Sequence, residues 1–407
     1  MRVAIAFNDV SMGGTSRSAV TFADAWHLAG AEAIAYCPGG PHPSRTAQLK
    51  ESGIPVTAQL GEITKFRPDL LHIHHGAPSG ATTSWVGNLL SATSELEPAV
   101  LTHDIFGQGL GAAIKKTLRA SSVQPQVVGL LGDWLAAQHS AQCGGQGISR
   151  RIIPNPQDFS FFRPPSSLER KNARARRGIS NSEKVLLRVG SPINEKWTID
   201  GYIRLAEFAI KSTNYRLRLI GAPPKLLDAL PRSEKIDVLP VITDDEQLRE
   251  EYWTANTFMH WADRGESFGN VILEALGTRL PVAYRSRALR DNTPWEFQKL
   301  KDFSYASGTK SWLSLAAILD RSAIQSIADV PGELEEYGVR RLSDVLSDIV
   351  WRFDSLSHMA GPAVIPHLLE ASFRVPQELP KMCQLQVALR HNPVSAKLKD
   401  LNRRFNV

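Results

Sequence analysis

Short apolar runs alternate with longer amphipathic segments through residues 1–155. The runs are almost continuously apolar, which is typical of strands buried on both faces of a parallel sheet. The segments between them are long enough for crossover helices, so this part of the chain is predicted to be a doubly wound α/β domain. The predicted strands are 3–7, 32–36, 70–73, 100–102 and 127–131.

The same alternation restarts beyond a connecting stretch at 152–165, IIPNPQDFSFFRPP, which is rich in proline and turn-forming residues. A second parallel α/β domain is therefore predicted over 156–340, where the strand pattern stops. Helices are predicted over 342–353 and after Pro380, so 341–407 should be a helical C-terminal segment that either packs back or ends as a basic tail. The predicted strands of the second domain are 185–189, 216–220, 237–239, 257–260 and 282–284.

Composition is that of an ordinary two-domain globular protein. The 407 residues exceed what one hydrophobic core usually serves, and 43% hydrophobic and 22% charged residues are typical of soluble domains. The net charge of +6 gives a mild bias towards phosphorylated substrates or an acidic membrane surface. Three isolated cysteines argue against a disulfide framework and favour a reducing cytoplasm. No apolar run reaches the length of a signal-peptide core or a membrane span, so any membrane contact is expected to be peripheral.

Two basic stretches need separate interpretation. In residues 170–177 no aromatic residue interleaves the charges, so a solvated helix ending at Gly178 is favoured over a nucleic-acid site. The segment after Pro380 could dock on anionic lipid at the inner membrane surface, or it could pack back with its charges outward. It carries the acid Asp400 and the basic residues Lys381, Arg390, Lys397, Lys399, Arg403 and Arg404.

The most informative stretch is RGESFGNVILE at 264–274. Gly269 permits a tight backbone approach, and a helix is predicted to begin near Asn270, where its first amides would form an anion site. Glu266 and Glu274 lie on either side of this turn and can accept hydrogen bonds from hydroxyls. The pattern suits a ligand with a phosphate in the middle and hydroxyls at both ends, which describes a nucleotide-sugar.

The longer stretch ESFGNVILEALGTRLPV resembles the retaining, nucleotide-sugar-dependent glycosyltransferases of the GT-B fold, of the group 1 or family 4 type. The order of segments matches that family over 1–340. The resemblance implies two Rossmann-like domains facing a cleft, with the acceptor side on the first and the donor side on the second. It also implies that Glu266 contacts hydroxyls of the donor sugar, that Glu274 binds the ribose, and that the backbone around Phe268 and Gly269 holds the sugar and the phosphates.

A second match lies in VGSPINEKW, where Gly190 and the Glu-Lys pair ending at Lys196 fall on the family's Gly-Arg followed by Glu-Lys-Gly. In the family, the arginine and the lysine neutralise the donor diphosphate. Lys196 is retained, but Ser191 stands where the arginine is expected and Trp197 where the second glycine is. A hydroxyl cannot replace bidentate phosphate recognition by a guanidinium. Either Arg188 or another cation substitutes, or the activity is altered or lost.

In the first half, Gly13 and Gly14 resemble the family's glycine loop, which approaches the phosphates or the acceptor. Their sequence, GGTSRS, lacks the G-x-G-x-x-G spacing of a dinucleotide site, which argues against an NAD enzyme. His103, at the end of a predicted strand, matches a histidine near the donor sugar in the family. A hydrogen-bonded histidine at a strand end is the alternative.

Two further groups are weaker candidates. The neighbouring His72, His74 and His75 suggest a metal site, and the first two share one face of a strand, but no acidic partner lies nearby and no metal is predicted. After the last predicted strand, the family often has an acidic residue close to the donor. That rim, or equally a turn and a helix cap, is predicted at Asp291, Asn292 and Glu296.

The predicted function is transfer of a sugar, with retention and without a metal or cofactor, from a nucleotide diphosphate sugar to a hydroxyl of a glycan, a lipid-linked acceptor or a small molecule. The alternatives are a GT-B sugar-nucleotide epimerase and a catalytically silent GT-B binding subunit. Catalytic roles are predicted for Glu266, Lys196 and His103. The predicted donor-binding residues are Gly190, Ser191, Phe268, Gly269, Asn270, Val271 and Glu274, and the predicted acceptor or phosphate loop is Gly13 and Gly14.

Overall fold

The computed structural model describes residues 1–8, 13–76, 80–109, 125–143, 149–263, 266–284, 304–306, 334 and 337–378, without side-chain detail at 80–83, 284, 304–306 and 359. The chain divides into two compact units, one formed by Met1–Pro156 with Val339–Val407 and the other by Gln157–Gly338. The rim candidates Asp291, Asn292 and Glu296 and the basic segment after Pro380 lie outside the described residues.

The first unit is built on a parallel sheet of seven strands. They are β1 (Arg2–Ala6), β2 (Glu32–Tyr36), β3 (Val56–Thr57), β4 (Leu70–His75), β5 (Ala99–Asp104), β6 (Val127–Leu130) and β7 (Ser149–Ile152). The helices between them are α1 (Gly14–Leu28), α2 (Pro43–Glu51), α3 (Leu60–Phe66), α4 (Gly80–Ala92) and α5 (Asp133–Cys143). The strand order is β3-β2-β1-β4-β5-β6-β7, so the order reverses between β1 and β4.

Both faces of this sheet are covered, as predicted for a doubly wound domain. Alternate residues of β1 point to opposite faces. Val3 and Ile5 belong to a core shared with Phe22 and Trp26 of α1, whereas Ala4 belongs to a second core with α3 and α4. A strand with apolar neighbours on both sides has no polar face, which explains its continuous apolar sequence.

The second unit repeats the architecture with a parallel sheet of six strands. They are β8 (Lys184–Val189), β9 (Tyr215–Ile220), β10 (Ile236–Leu239), β11 (Thr257–His260), β12 (Val282–Tyr284) and β13 (Ser304–Ala306). The described helices are α6 (Ser167–Arg176), α7 (Ile199–Lys211), α8 (Pro224–Ala229), α9 (Asp245–Thr254) and α10 (Asn270–Gly277). The strand order is β10-β9-β8-β11-β12-β13, with its reversal between β8 and β11.

The chain then returns to the first unit through α11 (Val339–Ala360) and α12 (Ile365–Ser372). Leu346 and Ile349 of α11 lie in the same core as Val3 and Ile5. Beyond α12, the guanidinium of Arg374 donates to both carboxylate oxygens of the buried Asp133, at 2.9 and 3.1 Å. Residues 339–378 are therefore part of the first unit. Within the described ranges, no helix is long and apolar enough to cross a membrane.

The basic run at 170–177 lies on α6 and the turn after it. Its prediction as a solvated helix is wrong for the side of α6 that packs against the rest of the unit. Arg174 is only 3% exposed, and Arg170 donates to two carbonyl oxygens beyond the end of the run. Burial, with a contribution from Arg174, lowers the pKa of Arg170 to about 10. The guanidinium of Arg174 donates, at 2.5 to 2.6 Å, to the carbonyl oxygens of Thr254, Ser180 and Glu183. The run therefore joins α6 to the end of α9.

Replacing Arg174 by methionine is expected to lower the free energy of unfolding of the second unit by about 2–4 kcal/mol, because three carbonyl groups, the buried one of Thr254 among them, lose their donor. Urea denaturation measures the change. The matched control is Arg176→Met on the same helix, whose side chain is 55% exposed in its ion pair with Glu250. That change should cost no more than about 1 kcal/mol. Equal losses for the two variants would contradict the structural role of Arg174.

Candidate active site

The predicted donor residues gather at one edge of the second sheet. Strands β8 and β11 are parallel neighbours, with Leu186 opposite Thr257 and Leu187 opposite Phe258. Their carboxyl ends therefore lie side by side, at the point where the strand order reverses. In open α/β sheets, ligands bind in the crevice outside this switch point. The VGSPINEKW segment follows β8, and the segment containing Glu266 follows β11.

The structure brings Lys196 and Glu266 into direct contact. The Nζ of Lys196 donates to Oε2 of Glu266 at 2.7 Å. The lysine side chain is 33% exposed and that of the glutamate only 11% exposed. The ammonium group of Lys196 is therefore accessible to solvent, whereas the carboxylate of Glu266 is largely buried in the unit. A charge-assisted hydrogen bond of this kind fixes both groups better than a neutral one does.

The predicted helix start is confirmed. Gly269 has φ +88° and ψ +57°, a left-handed conformation that strains residues with a side chain, and α10 begins at the next residue. The first intrahelical bond is donated by Ile272 to the carbonyl oxygen of Gly269, at 2.8 Å. The amides of Asn270 and Val271 precede that bond, as in an anion-binding helix start. Phe268 is buried, so only its backbone can serve a ligand.

Glu274 lies deeper in the unit than a surface acid of a helix would. The residue is 1% exposed, and its Oε2 accepts a hydrogen bond from the hydroxyl of Tyr252 at 2.8 Å. Tyr252 belongs to α9 and lies outside the sequence motif, so the motif does not indicate this contact. Contact between Glu274 and a ribose stays a prediction from the resemblance.

The two departures from the family pattern, Ser191 and Trp197, form one packed feature. Trp197 is fully buried, and its indole nitrogen donates to the carbonyl oxygen of Ser191 at 2.8 Å. A Cβ atom at Gly190 would lie 3.0 Å from the Trp197 ring, so a side chain there would force the indole to shift. The tryptophan therefore anchors the loop from within and does not occupy the solvent-facing side of the site.

Arg188 does not take the place of the missing arginine. Its side chain is buried, with the residue 1% exposed. One nitrogen, Nη2, donates to the carbonyl oxygen of Lys196 at 2.9 Å, and the guanidinium lies 5.0 Å from the centroid of the Trp197 ring. The second nitrogen, Nη1, bonds to the ring of His260 at 2.6 Å. Of the cations discussed, only Lys196 reaches solvent at this edge.

His260 is a site residue that the sequence reasoning missed. It ends β11, is 1% exposed, and places Nε2 at 3.5 Å from Oε1 of Glu266. Burial, with the charges of Arg188 and Lys196, lowers the pKa of His260 well below the usual range, so the ring is neutral at neutral pH. Its position at the carboxyl end of a strand, six residues before Glu266, is the signal that could have indicated it.

In the first unit, Gly13 and Gly14 follow β1 at the other strand-order reversal. Gly13 precedes α1 with φ −67° and ψ 171°, an extended conformation open to other residues. The hydroxyl of Ser16 donates to its carbonyl oxygen at 3.0 Å. The helix start lies where the resemblance places a glycine loop, and its role in binding phosphates or acceptor stays a prediction.

His103 lies in a cluster with His72 and His74, which the sequence reasoning treated separately. Ring centroids are 4.4 Å apart for His72 and His74 and 4.7 Å apart for His74 and His103. All three residues are buried, and their nitrogens lie within 4.8 Å of one another, so they are candidate metal ligands by proximity. Parallel pairing of β4 with β5 puts His103 directly opposite His74, a register that no local pattern shows.

The histidines of this cluster are neutral. Burial, with the charge of His103, lowers the pKa of His72 well below its usual value, and burial lowers that of His74 likewise. Burial, with the charge of His75, lowers the pKa of His103 to about 3. The indole of Trp26 donates to Nδ1 of His72 at 3.2 Å, while neither nitrogen of His74 has a hydrogen-bond partner among the described residues. The predicted catalytic role of His103 stays a prediction.

No protein-family model matches the chain, and no curated protein matches its sequence. Solved structures do match. HepE (Alr3699) from Anabaena, crystallised with UDP and glucose, is 14% identical over 86% of this chain and 99% of its own, with a TM-score of 0.64. A glycosyltransferase from Rickettsia africae is 13% identical over 91% and 97%, with a TM-score of 0.64. A Listeria monocytogenes protein assigned to UDP-N-acetylglucosamine 2-epimerase activity is 12% identical over 89% and 98%, with a TM-score of 0.53.

These likenesses establish the fold. Nearly the whole length of each neighbour is covered, so both units are matched and not only one. The predicted class, GT-B with two Rossmann-like α/β units and a helical C-terminal segment, is confirmed. Because sequence identity is this low and folds host several activities, function has to be argued from the site.

Proposed function

We propose that the protein is a retaining glycosyltransferase that moves a sugar from a nucleotide diphosphate donor to a hydroxyl acceptor. The observation that carries the proposal is the contact between Lys196 and Glu266, at the switch point of the second sheet and beside the start of α10. A cation, a helix start and a carboxylate are the groups that a diphosphate joined to a sugar requires.

The proposed chemistry is electrostatic. Breaking the bond between the sugar and the diphosphate leaves negative charge on the leaving oxygen. The Nζ of Lys196 has further donors besides the one used by Glu266, and the amides of Asn270 and Val271 would add partial positive charge. Glu266 would accept hydrogen bonds from sugar hydroxyls. Since these groups supply the positive charge, the transfer is proposed to need no metal and no cofactor.

A uridine diphosphate sugar is the first donor to test, because HepE was crystallised with UDP and glucose. The structure of this chain does not distinguish the base. Ser191 in place of an arginine leaves the diphosphate with fewer charged donors, so a donor affinity weaker than in a site with both cations is expected.

The deciding experiment is a panel of nucleotide-sugars, screened first for thermal stabilisation and then for consumption with pooled acceptors in the presence of EDTA. One donor at about 100 times its Kd should stabilise the fold by about 2.7 kcal/mol. It should be consumed only when an acceptor is present, and NMR of the product should show the anomeric configuration of the donor. Stabilisation without consumption would indicate a silent binding subunit, and activity abolished by EDTA would contradict metal independence.

A sugar-nucleotide epimerase is the second candidate, favoured by the likeness to the Listeria protein. An epimerase would use the same donor site without an acceptor. Incubation of the stabilising nucleotide-sugar alone separates the two, since an epimerase yields a new nucleotide-sugar and a transferase leaves it intact.

A further inference from the structure

Four residues of the second unit form a continuous chain from its interior to the candidate active site. Arg188 and His260 lie at the carboxyl ends of the neighbouring strands β8 and β11, and each is 1% exposed. Nη1 of Arg188 contacts Nδ1 of His260 at 2.6 Å, while Nε2 of the same ring lies 3.5 Å from Oε1 of Glu266. Oε2 of Glu266 accepts from Lys196, whose carbonyl oxygen accepts from Nη2 of Arg188.

The first contact fixes the tautomer of the histidine. A guanidinium has only donors, so Nδ1 of His260 must act as the acceptor and carries no proton. The proton of the neutral ring is therefore on Nε2, which faces Glu266. At 3.5 Å this N–H is beyond ordinary hydrogen-bond distance. At this distance the N–H dipole and the carboxylate of Glu266 attract each other electrostatically.

We propose that Arg188 and His260 are positioning residues that hold Lys196 and Glu266 in the geometry needed for sugar transfer. Arg188 holds the backbone of Lys196 with one nitrogen and orients the His260 ring with the other. The ring directs its Nε2–H at one oxygen of Glu266, which leaves the other oxygen to Lys196. This inference rests on the proposed function, because it assigns Lys196 and Glu266 to the donor.

Burial separates the two kinds of role. Arg188 and His260 are both 1% exposed, and their polar side-chain contacts are with each other and with Lys196 and Glu266, whereas the side chain of Lys196 is 33% exposed. Removing a positioning group misorients its neighbours without deleting them. The expected result is a loss in kcat with a smaller change in the KM for the donor.

Three substitutions at His260 separate its two hydrogen-bonding atoms. His260→Gln keeps a donor near the place of Nε2, His260→Asn keeps an acceptor near the place of Nδ1, and His260→Phe keeps neither. We expect His260→Phe to lower kcat about 10- to 100-fold, by analogy with the loss seen when a group that orients a metal-ligating residue is removed. His260→Gln should recover most of this loss and His260→Asn less. The control is His367→Phe, because that side chain is 82% exposed in the first unit.

A readout besides activity keeps this inference distinct from the proposed function. Nitrogen-15 NMR of the histidine rings should show His260 protonated at Nε2 only, and Arg188→Met should mix the two tautomers. If these tautomers are observed but no sugar is transferred to any acceptor, the contacts among Arg188, His260 and Glu266 would be supported and the proposed function would be rejected. An Nδ1-protonated ring in the folded wild type, or a folded His260→Phe variant with the kcat of wild type, would overturn the positioning role.

Discussion

Replacing Lys196 by methionine is expected to lower the turnover number of sugar transfer about 10²- to 10³-fold, the usual cost of losing one preorganised donor to developing charge. The fold should persist, because the lysine side chain is one-third exposed and Trp197, its neighbour, carries the packing of the loop. Glu266→Gln should cause a comparable loss, since a neutral amide cannot hold the lysine or accept hydrogen bonds equally well at both of its polar atoms. Single-turnover kinetics with saturating donor measures both.

The double variant should be little worse than either single variant. Lys196 and Glu266 contact each other at 2.7 Å, and residues that act as a unit give strongly non-additive effects. The controls are Lys171→Met and Glu246→Gln, which change two exposed residues of the same unit. Both control variants should transfer sugar at the wild-type rate. Full activity in either site variant would contradict the assignment of the donor site.

Lys196→Arg is not expected to keep the wild-type rate of sugar transfer. The larger planar guanidinium offers its donors in a fixed fork, whereas the ammonium is a compact charge with rotatable donors. Ser191→Arg, in contrast, introduces the cation found at this position in the glycosyltransferases that the motif resembles. Ser191 is only partly buried. A fall in the Kd for the donor would show that Ser191 weakens diphosphate binding, and no change would place the phosphates elsewhere.

Most of the strands that the sequence predicted correctly have apolar residues on both faces, although β10, with Val238 43% exposed, does not. Burial between two helix layers makes their sequences continuous in apolar residues, so the pattern is visible without the fold. Strands β3, β7 and β13 were not predicted, and all three lie at sheet edges. Of these, β7 reads Ser-Arg-Arg-Ile. Its arginines bond to His139 and to the carbonyl oxygen of Glu370, and such contacts with distant segments leave no local pattern.

The candidate site divides along the same line. The glycine turn and the start of α10 lie within one segment, so spacing alone could predict them. The contact of Lys196 with Glu266 spans 70 positions, and that of Arg188 with His260 spans 72. Trp197 looked like a disruption because its meaning depends on Gly190, whose missing side chain makes room for the indole. Resemblance located the motif, but only the packing shows which side chains face inward.

Acidification from pH 7.5 to 5.0 is expected to destabilise the first unit by about 6 kcal/mol, a large part of the stability of a typical domain. Burial lowers the pKa of His72, His74 and His103 far below the value near 6.5 that they have in an unfolded chain. Between those values the unfolded chain binds protons that the fold does not. Each histidine then costs about 2 kcal/mol at pH 5.0.

The sign is that of a base whose pKa is depressed by folding: stability is complete above about pH 6.5 and is lost as the pH falls. Burial also lowers the pKa of His139, to about 4, which adds a fourth group to the trend, whereas burial raises the pKa of Asp24, which opposes it. Only His260 acts this way among the described histidines of the second unit, so hydrogen exchange should show the first unit opening at the higher pH. Phenylalanine in place of His74 should flatten the pH dependence by about one proton, whereas His367→Phe should not change it. If the two units lost their exchange protection at the same pH, buried neutral histidines would not be the cause.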